Sequence, residues 1–278
     1  MSESWFIVGC GYTGTRLARA LVGQGADVTI TRRDGAAATE LAEQLGARGL
    51  RADLAQPNTL RGAVPPGAIV VVLAPPGADP AAEIAGLLDA VGGEAKRLVY
   101  VSSTGVYAPG GGAWVDETWP LAPTTASGRA RVAAEQALAA SRVPWIALRV
   151  AGIYGPGRGL AERIGAGTYR IVGDGHAHVS RIHVLDLVAA IIAAGRSTYR
   201  GAVNVADDDP APIGEVADAV AAQFGRPAPP RVPVASVSPE VAGMLTADRR
   251  IANARLVQEL GVVLRYPSWR AALSDGAV

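Results

Sequence analysis

A glycine-rich turn near the amino terminus is the first group of residues whose types and spacing predict chemistry. Residues 9–14 read Gly-Cys-Gly-Tyr-Thr-Gly, directly after the short apolar run Trp5–Val8. In such a G-x-G-x-x-G turn between a strand and a helix, the first glycine permits a tight turn. The second lets the backbone approach a pyrophosphate, and the third lets the helix pack closely on the strand. The phosphates would lie at the helix N-terminus, where free N–H groups and the helix dipole favour negative charge. The predicted dinucleotide-binding residues are Gly9, Gly11, Tyr12, Thr13 and Gly14, the alternative being a glycine-rich turn in some other βα unit.

The end of the second predicted strand indicates which dinucleotide binds. An NAD site commonly has Asp or Glu there, about 20 residues after the glycines, to hold the ribose hydroxyls. Here the strand ends in Thr31-Arg32-Arg33, and Asp34 comes only afterwards. Two guanidiniums suit a 2′-phosphate, because they form charge-assisted and often bidentate hydrogen bonds. The sequence therefore predicts NADP(H), with NAD(H) as the less favoured cofactor and a solvated basic turn as the other interpretation of the arginines.

Two further segments are predicted to contact the cofactor. In this architecture an Asp after the third strand can accept a hydrogen bond from the adenine amine while the next residue packs on the ring. Asp53 and Leu54 have these places, unless Asp53 is an ordinary surface residue. Leu73, Ala74 and Pro75 end another strand, at the carboxyl edge where ligands of open sheets bind. Small residues there let the backbone approach a cofactor, and an ordinary loop is the alternative.

The elements that must position these residues follow from the hydrophobic pattern. Short continuous apolar runs predict parallel strands covered on both faces, and amphipathic stretches between them predict helices. The five predicted strands are Trp5–Val8, Asp27–Thr31, Ala68–Leu73, Arg97–Ser102 and Trp145–Arg149. The four predicted helices are Thr13–Val22, Ala36–Leu45, Pro80–Val91 and Arg129–Ala140. The alternation predicts an α/β fold with a Rossmann-type doubly wound parallel sheet, because each parallel crossover is right-handed and covers one face.

The pattern loosens after residue 149. Segment 152–175 contains eight glycines and is predicted to be mostly loop. The later predictions are a helix at Val184–Ala194, a strand at Val203–Val205, a helix at Ile213–Phe224, a Pro-rich connector at Pro227–Pro239 and a helix at Asn253–Glu259. This tail is too thin for an ordinary core, so we expect a small C-terminal substrate-side lobe over the carboxyl edge of the sheet. The predicted bounds are 1–155 and 176–206 for the NAD(P)-binding core, and 156–175 and 207–278 for the lobe.

Composition argues against several classes of protein. The 278 residues include 26 basic and 25 acidic ones, which does not suit nucleic-acid binding. Cys10 is the only cysteine, so no internal disulfide or multi-Cys zinc site is possible. His176, His178 and His183 lie close in sequence and could seat a metal, but ordinary polar positions explain them and no metal is predicted. We expect a cytoplasmic protein, because no apolar run approaches the ~20 residues of a membrane helix and no signal peptide is visible.

Motifs in the middle of the chain resemble a known family. Residues 100–107 read Tyr-Val-Ser-Ser-Thr-Gly-Val-Tyr, and residues 115–117, Val-Asp-Glu, and then Pro120 follow. Later motifs are Leu-Arg-Val-Ala-Gly-Ile-Tyr-Gly-Pro-Gly at 148–157, Arg-Ile-His-Val-Leu-Asp-Leu at 181–187 and Asn-Val at 204–205. In this order, over roughly residues 4–206, the chain resembles the extended short-chain dehydrogenase/reductase (SDR) superfamily, the NAD-dependent epimerase/dehydratase group. The resemblance implies that family's fold, a nucleotide cofactor and substrates that are often nucleotide-linked sugars.

The active site departs from the family pattern. The family pairs a Ser or Thr with Tyr-x-x-x-Lys, in which tyrosine moves the proton and lysine lowers its pKa. Alignment on Glu135 puts Arg131 at the Lys position and Ser127 at the Tyr position, while Ser103 keeps the Ser position. A serine hydroxyl is far too weak an acid to replace a phenol without an activating base. The glycine turn is also one residue shorter than usual, with Val8 where the family's first glycine would be. Both departures match atypical SDR subgroups that lack most active-site residues.

The resemblance thus implies an NAD(P)-dependent, epimerase/dehydratase-like oxidoreductase with a non-standard active site. Ser103 and Tyr107 are the candidate catalytic residues, although Tyr107 alternatively packs under its strand. The candidate substrate-binding residues are Thr104, Arg149, Tyr154 and Arg181, for a small carbonyl or nucleotide-linked compound. A catalytically inactive NADP(H)-binding sensor or regulatory protein is the alternative function. The family often dimerises through two helices, here Pro80–Val91 and Arg129–Ala140, so a monomer or homodimer is expected, with no nucleic-acid or membrane partner.

Overall fold

The structure, a computed structural model, describes residues 2–91 and 93–278. Its strands are β1 (Ser4–Val8), β2 (Asp27–Arg32), β3 (Arg48–Arg51), β4 (Ile69–Val72), β5 (Arg97–Ser103), β6 (Trp114–Val115), β7 (Trp145–Val150), β8 (Gly152–Tyr154), β9 (Ile171–Val172), β10 (His178–Val179), β11 (Arg181–His183), β12 (Gly201–Val205), β13 (Ala211–Pro212), β14 (Arg231–Val232) and β15 (Arg250–Ile251). Its helices are α1 (Tyr12–Gly23), α2 (Gly35–Leu45), α3 (Pro80–Val91), α4 (Ala126–Ala139), α5 (Leu160–Gly165), α6 (Val184–Arg196), α7 (Ile213–Gln223), α8 (Pro239–Leu245), α9 (Ala254–Gln258) and α10 (Trp269–Ser274). None of the helices in these ranges is long and apolar enough to cross a membrane.

Seven of these strands form the central sheet, in the order β12-β7-β5-β4-β1-β2-β3. The pairs β1–β2, β1–β4, β2–β3 and β4–β5 are parallel. The chain runs outward from β1 to β3 on one side and then returns to place β4 on the other side of β1. This reversal is the topological switch point at which open α/β sheets bind ligands beyond the carboxyl ends of their strands. The predicted Rossmann-type α/β fold is confirmed.

The edge strand β3 lies outside the five strands that the apolar runs predict, although the place given to Asp53 assumes a strand before it. Its four residues, Arg-Gly-Leu-Arg, include one apolar side chain, and both arginines are exposed. A strand at the edge of a sheet is stabilised by backbone pairing on one side only and needs no continuous apolar run. The hydrophobic pattern that marks the buried strands therefore could not reveal it.

Three short helices also differ from the prediction. Helix α5 lies in the glycine-rich segment that was predicted to be mostly loop, and α10 lies near the carboxyl terminus. Helix α8 begins at Pro239, the last residue of the predicted connector, and the Ser238 side chain accepts a hydrogen bond from the Val241 amide. A proline in the first turn after a serine N-cap starts a helix, because its missing N–H would have no intrahelical partner there.

The chain divides into two compact units. The first contains Met1–Ser102, Ala130–Leu148 and Val188–Val203, and the second contains Ser103–Arg129, Arg149–Leu187 and Asn204–Val278. The first has an apolar core around Phe6, Val70 and Leu98, and the second has its own around Tyr154, Ile171 and Trp269. These bounds differ from the predicted core and lobe, because the segments after β5 and β7 pack with the carboxyl-terminal part of the chain. One such contact is the parallel pairing of β6 with β15.

Candidate functional site

The glycine turn lies against the ends of two neighbouring strands. Gly9 has a φ of +87°, and a Cβ there would lie 2.6 Å from the Ala74 backbone nitrogen. The backbone nitrogen of Cys10 donates to the Thr31 carbonyl across 2.8 Å. Only glycine tolerates both this backbone angle and this closeness to the segment after β4. The fold therefore brings together the predicted residues of the turn, the end of β2 and the end of β4.

The second and third glycines of the turn have different surroundings. A Cβ on Gly11 would meet nothing within 4 Å, so the space in front of this residue is open. A Cβ on Gly14 would lie 3.1 Å from Leu73 Cδ1, which is tighter than ordinary packing. These surroundings fit the roles predicted from the sequence, an open approach for a phosphate at Gly11 and close helix packing at Gly14.

The first turn of α1 suits an anion. Gly11 is its N-cap and provides no side-chain hydrogen bond, and the turn contains no acidic residue. The N–H groups at the start of a helix have no intrahelical partner, so a phosphate can accept from them. Thr13 is buried, and the ring of Tyr12 lies under the Arg16 guanidinium, 3.8 Å from its carbon to the ring centroid. The turn as a whole fits the pyrophosphate of a dinucleotide.

Arg32 is attached to the glycine turn by a hydrogen bond. Its Nε donates to the Cys10 carbonyl oxygen over 2.8 Å. Arg33, next along the chain, is exposed. Asp34 forms no ion pair with either arginine among the described residues, and its Oδ1 caps α2 by accepting from the Ala37 amide at 3.1 Å. The end of β2 thus carries two cations, of which Arg32 is bound to the turn, and their contact with a 2′-phosphate stays a prediction.

The structure gives less support to the predicted adenine contacts of Asp53 and Leu54. Asp53 is half-buried and its Oδ1 accepts from the Ala55 amide at 3.1 Å. Leu54 is only 7% exposed, because it packs in the core of the first unit. Leu54 therefore offers little surface to an adenine ring, and a cofactor contact of either residue stays a prediction.

Glu83 positions the loop after β4 and was not found from the sequence. This buried carboxylate accepts a hydrogen bond from the Gly77 amide at 2.9 Å, and a Cβ on Gly77 would collide with it. It therefore fastens the loop after Pro75 to the first turn of α3. The available signal was an acidic residue in the first turn of an otherwise apolar helix, where the helix dipole favours it.

In the second unit, Ser103 lies at the end of β5 and is half-buried. Its Oγ accepts a hydrogen bond from the Gly105 amide at 3.0 Å and caps a short 3-10 turn at 104–106 that begins with the half-buried Thr104. A hydroxyl that accepts one bond can still donate its own hydrogen. The Ser103 hydroxyl therefore keeps a hydrogen that it can donate, and its contact with a substrate oxygen stays a prediction.

Tyr107 and Arg149 lie in a buried polar network. Tyr107 has no exposed surface, and its hydroxyl donates to Asn204 Oδ1 at 2.6 Å. The same hydroxyl accepts from Arg149 Nη1 at 3.0 Å. The Asn204 amide group in turn donates to the Val115 and Ala252 carbonyls at 3.2 and 3.0 Å. These bonds favour the packing interpretation of Tyr107 over the catalytic one, and they give Arg149 a structural partner inside the protein.

Ser127, at the family's tyrosine position, is bound to an acidic residue that was not found from the sequence. Its Oγ lies 2.5 Å from Glu240 Oε1, and the Ala126 amide donates to Oε2 at 2.8 Å. The hydrogen bonds from the Ser127 hydroxyl and the Ala126 amide hold the pKa of Glu240 below its ordinary value. Glu240 lies 113 residues away in α8, so no local pattern could have predicted this contact.

The resemblance gives the position of the family's lysine to Arg131. Arg131 lies one helical turn after Ser127 in α4, and a guanidinium does not deprotonate in proteins. Lys96 is the only lysine of the chain, and residue 92, four positions earlier, is glycine, so the chain contains no Tyr-x-x-x-Lys at all.

Tyr154 and Arg181 contribute to a cavity within the second unit. Leu160, Val216 and Trp269 are among the apolar residues that line it. Both predicted substrate residues are nine-tenths buried, and burial lowers the pKa of Arg181. Burial also raises the pKa of the neighbouring Asp207 to about 8. A substrate contact of Tyr154 or Arg181 stays a prediction.

The rings of His178 and His183 have protein partners. The His178 ring Nδ1 lies 2.8 Å from Asp248 Oδ1, and His183 Nε2 lies 3.0 Å from the Ala277 carbonyl oxygen. Within the described ranges, no group of three or more His, Cys, Asp or Glu side chains is arranged to hold a metal ion.

Known proteins share this fold and parts of this sequence. The model of a family described as NAD(P)H-binding matches residues 9–194. A 3-diazoavenalumate denitrifying reductase from a Streptomyces species is 36% identical over 196 residues, and the match spans 64% of each chain. The structure of a functionally unknown conserved protein from Silicibacter pomeroyi is 34% identical, with a TM-score of 0.85 and 99% of both chains covered. The human epimerase family protein SDR39U1, solved with NADPH, is 20% identical, with a TM-score of 0.80 and 98% of both chains covered. The chain therefore belongs to the family described as NAD(P)H-binding, and it shares the fold of the human epimerase family protein.

Proposed function

We propose that this protein is an NADP(H)-dependent reductase whose active site lacks the tyrosine–lysine pair. The observation that carries the cofactor preference is the 2.8 Å hydrogen bond from Arg32 Nε to the Cys10 carbonyl. It attaches a guanidinium to the glycine turn while leaving two terminal nitrogens for bidentate bonding to a phosphate. Arg33 adds a second cation, and the strand ends in these arginines, with Asp34 following only as the N-cap of α2.

The reductase assignment is supported by the family and by the name of the Streptomyces relative. A bound dihydronicotinamide would supply the hydride. The protein would contribute the Ser103 hydroxyl, which can donate a hydrogen bond to the reacting oxygen of a small carbonyl or nucleotide-linked substrate. The panel for turnover assays should contain aldehydes, ketones, nucleotide-linked sugars and 3-diazoavenalumate, the compound in the relative's name.

Titration calorimetry with NADPH and NADH tests the cofactor assignment. The unmodified protein should bind NADPH more tightly, and Arg32→Asp combined with Arg33→Ala should erase the preference by removing both cations. Arg19→Ala is the matched control, because Arg19 is an exposed arginine on α1 away from the strand ends. Tighter binding of NADH by the unmodified protein would contradict the proposal.

A non-catalytic NADP(H) sensor is the second candidate function. It is favoured by the Ser127–Glu240 contact, because the hydroxyl aligned with the family's tyrosine already donates its hydrogen to Glu240. The burial of Tyr107 removes another hydroxyl from the candidate acids. A sensor would bind NADPH as tightly as a reductase does, but it would oxidise no NADPH with any member of the panel.

A further inference from the structure

The carboxyl ends of β2 and β3 place a third arginine beside the two at the end of β2. In the parallel register of these strands, Arg51 is the partner of Arg32. Neighbouring strands lie about 4.8 Å apart, and paired residues of a parallel register project from the same face. The Arg51 side chain also reaches back to the end of β2, since its Nε donates to the Arg33 carbonyl at 3.3 Å.

The described residues supply no carboxylate that pairs with these like charges. Within residues 2–91 and 93–278, no carboxylate lies within ion-pair distance of Arg32, Arg33 or Arg51. Asp34, the acid nearest in sequence, is used as the N-cap of α2. Like charges directly opposite on neighbouring strands destabilise a sheet. A cluster of three cations without a counter-ion is therefore suited to an anion from outside the chain.

The two paired arginines are held in the same way. Each uses its Nε to bind a backbone carbonyl, Arg32 that of Cys10 and Arg51 that of Arg33. Each thereby keeps its two terminal guanidinium nitrogens, and a guanidinium fixed at Nε loses little further freedom when it binds a phosphate. Gly35 leaves room for this arrangement, because a Cβ there would lie 3.3 Å from Arg51 Cβ.

We propose that Arg51 is a specificity-determining residue of the cofactor site and binds the 2′-phosphate of NADP(H) together with Arg32 and Arg33. The inference rests on the proposed NADP(H) dependence and extends it to the polar edge strand β3. The 2′-phosphate would then be bound by arginines from two paired strands, β2 and β3.

Binding of 2′,5′-ADP compared with 5′-AMP tests the inference without any turnover. In calorimetry, Arg51→Gln should weaken 2′,5′-ADP by about tenfold or more, the usual effect of one charge-assisted hydrogen bond. Affinity for 5′-AMP and NADH should stay unchanged. Arg48→Gln is the matched control, because Arg48 is exposed at the other end of the same strand and should leave all affinities unchanged. Thermal unfolding of the ligand-free Arg51→Gln protein should show no loss of stability, since the substitution removes a repulsive pair.

The outcomes separate the two proposals. If the unmodified protein binds 2′,5′-ADP no better than 5′-AMP, the proposed NADP(H) preference is wrong and the inference falls with it. If Arg32→Gln weakens 2′,5′-ADP while Arg51→Gln and Arg48→Gln do not, the preference stands and the role of Arg51 is overturned. A specific tenfold loss in Arg51→Gln supports both.

Discussion

The hydroxyl oxygen of Ser127 lies 2.5 Å from Oε1 of Glu240, so α4 begins at a carboxylate supplied by α8. Ser127 is the residue that alignment on Glu135 puts at the position of the family's catalytic tyrosine. The backbone N–H groups of Ala126 and Ser127 donate to the same carboxylate, at 2.8 and 3.2 Å. Glu240 therefore acts as the N-terminal cap of α4, and the hydrogen of the Ser127 hydroxyl is directed at Glu240 instead of at a substrate.

Glu240→Gln should lower the thermal unfolding midpoint at pH 7. A neutral amide loses the charge-assisted hydrogen bonds and the favourable interaction with the helix N-terminus. Since the folded state lowers the pKa of Glu240 from 4.5, this stabilisation is present above pH 4.5 and is lost as the pH falls below it. The difference in unfolding midpoint between the unmodified and Glu240→Gln proteins should therefore shrink as the pH falls towards 3. The exposed Glu259→Gln is the control, and a difference of equal size at both pH values would contradict the capping role.

Ser103→Ala should reduce turnover of an identified substrate by about 10²-fold or more, the usual size of one lost acid–base or oxyanion contact. Ser127→Ala should reduce it much less, because that serine is a weak acid and already donates to Glu240. Steady-state kinetics with NADPH measures both, and calorimetry checks that cofactor binding is unchanged. Equal losses in the two variants would show that the alignment of the active site is wrong.

Ser127→Tyr combined with Arg131→Lys should create or raise reductase activity on generic carbonyls. The pair restores a phenol and the cation that lowers its pKa, while the Ala126 amide can keep its bond to Glu240. Oxidation of NADPH with the aldehyde and ketone panel is the measurement, and each single variant is a control. If the natural protein oxidises no NADPH with any compound and the double variant does, the sensor is the better description.

Gly11→Val should abolish binding of both NADPH and NADH while leaving unfolding cooperative. The valine side chain would fill the open space in front of the turn, in which nothing lies within 4 Å of a Cβ. Gly23→Val, at the far end of α1 and equally open, is the matched control and should bind normally. Gly9→Ala should instead destabilise the fold, because its φ is +87° and a Cβ would lie 2.6 Å from Ala74. Retained affinity in Gly11→Val would make the turn purely structural.

Asp207→Asn should make the free energy of unfolding less sensitive to a rise in pH between 3.8 and about 8. Burial raises the pKa of Asp207 from 3.8 to about 8 in the folded state. The neutral carboxyl therefore stabilises the fold fully below pH 3.8, and this contribution is lost as the pH rises through the folded value. The slope is at most ~1.4 kcal/mol per pH unit. Urea unfolding of both proteins between pH 5 and pH 9 checks this, with Asp208→Asn as the neighbouring control. If the free energy of unfolding depends on pH in the same way in Asp207→Asn and in the unmodified protein, Asp207 is ionised in the folded state.

Some contacts of the candidate site could not be predicted because their partners are far apart in sequence. Tyr107 meets Asn204 across 97 residues, and Ser127 meets Glu240 across 113. The sequence motif around Tyr107 is compatible with both a catalytic and a packing side chain. Complete burial and two hydrogen bonds, which depend on the folded neighbours, separate these interpretations.

The sequence by itself determined the glycine turn, the arginines at the end of β2 and the alternation of strands and helices. These features depend on local interactions: turn conformation, helix capping and the periodicity with which apolar side chains are buried. Only the tertiary structure decided that the strand before Asp53 is the polar segment Arg48–Arg51, and that its last arginine is paired with Arg32. An edge strand is stabilised by backbone hydrogen bonds to its neighbour, and backbone pairing leaves no pattern in the side chains. The tertiary structure also decided the partners of Ser127 and Tyr107. A hydrogen bond between segments distant in sequence forms only once packing has brought them together.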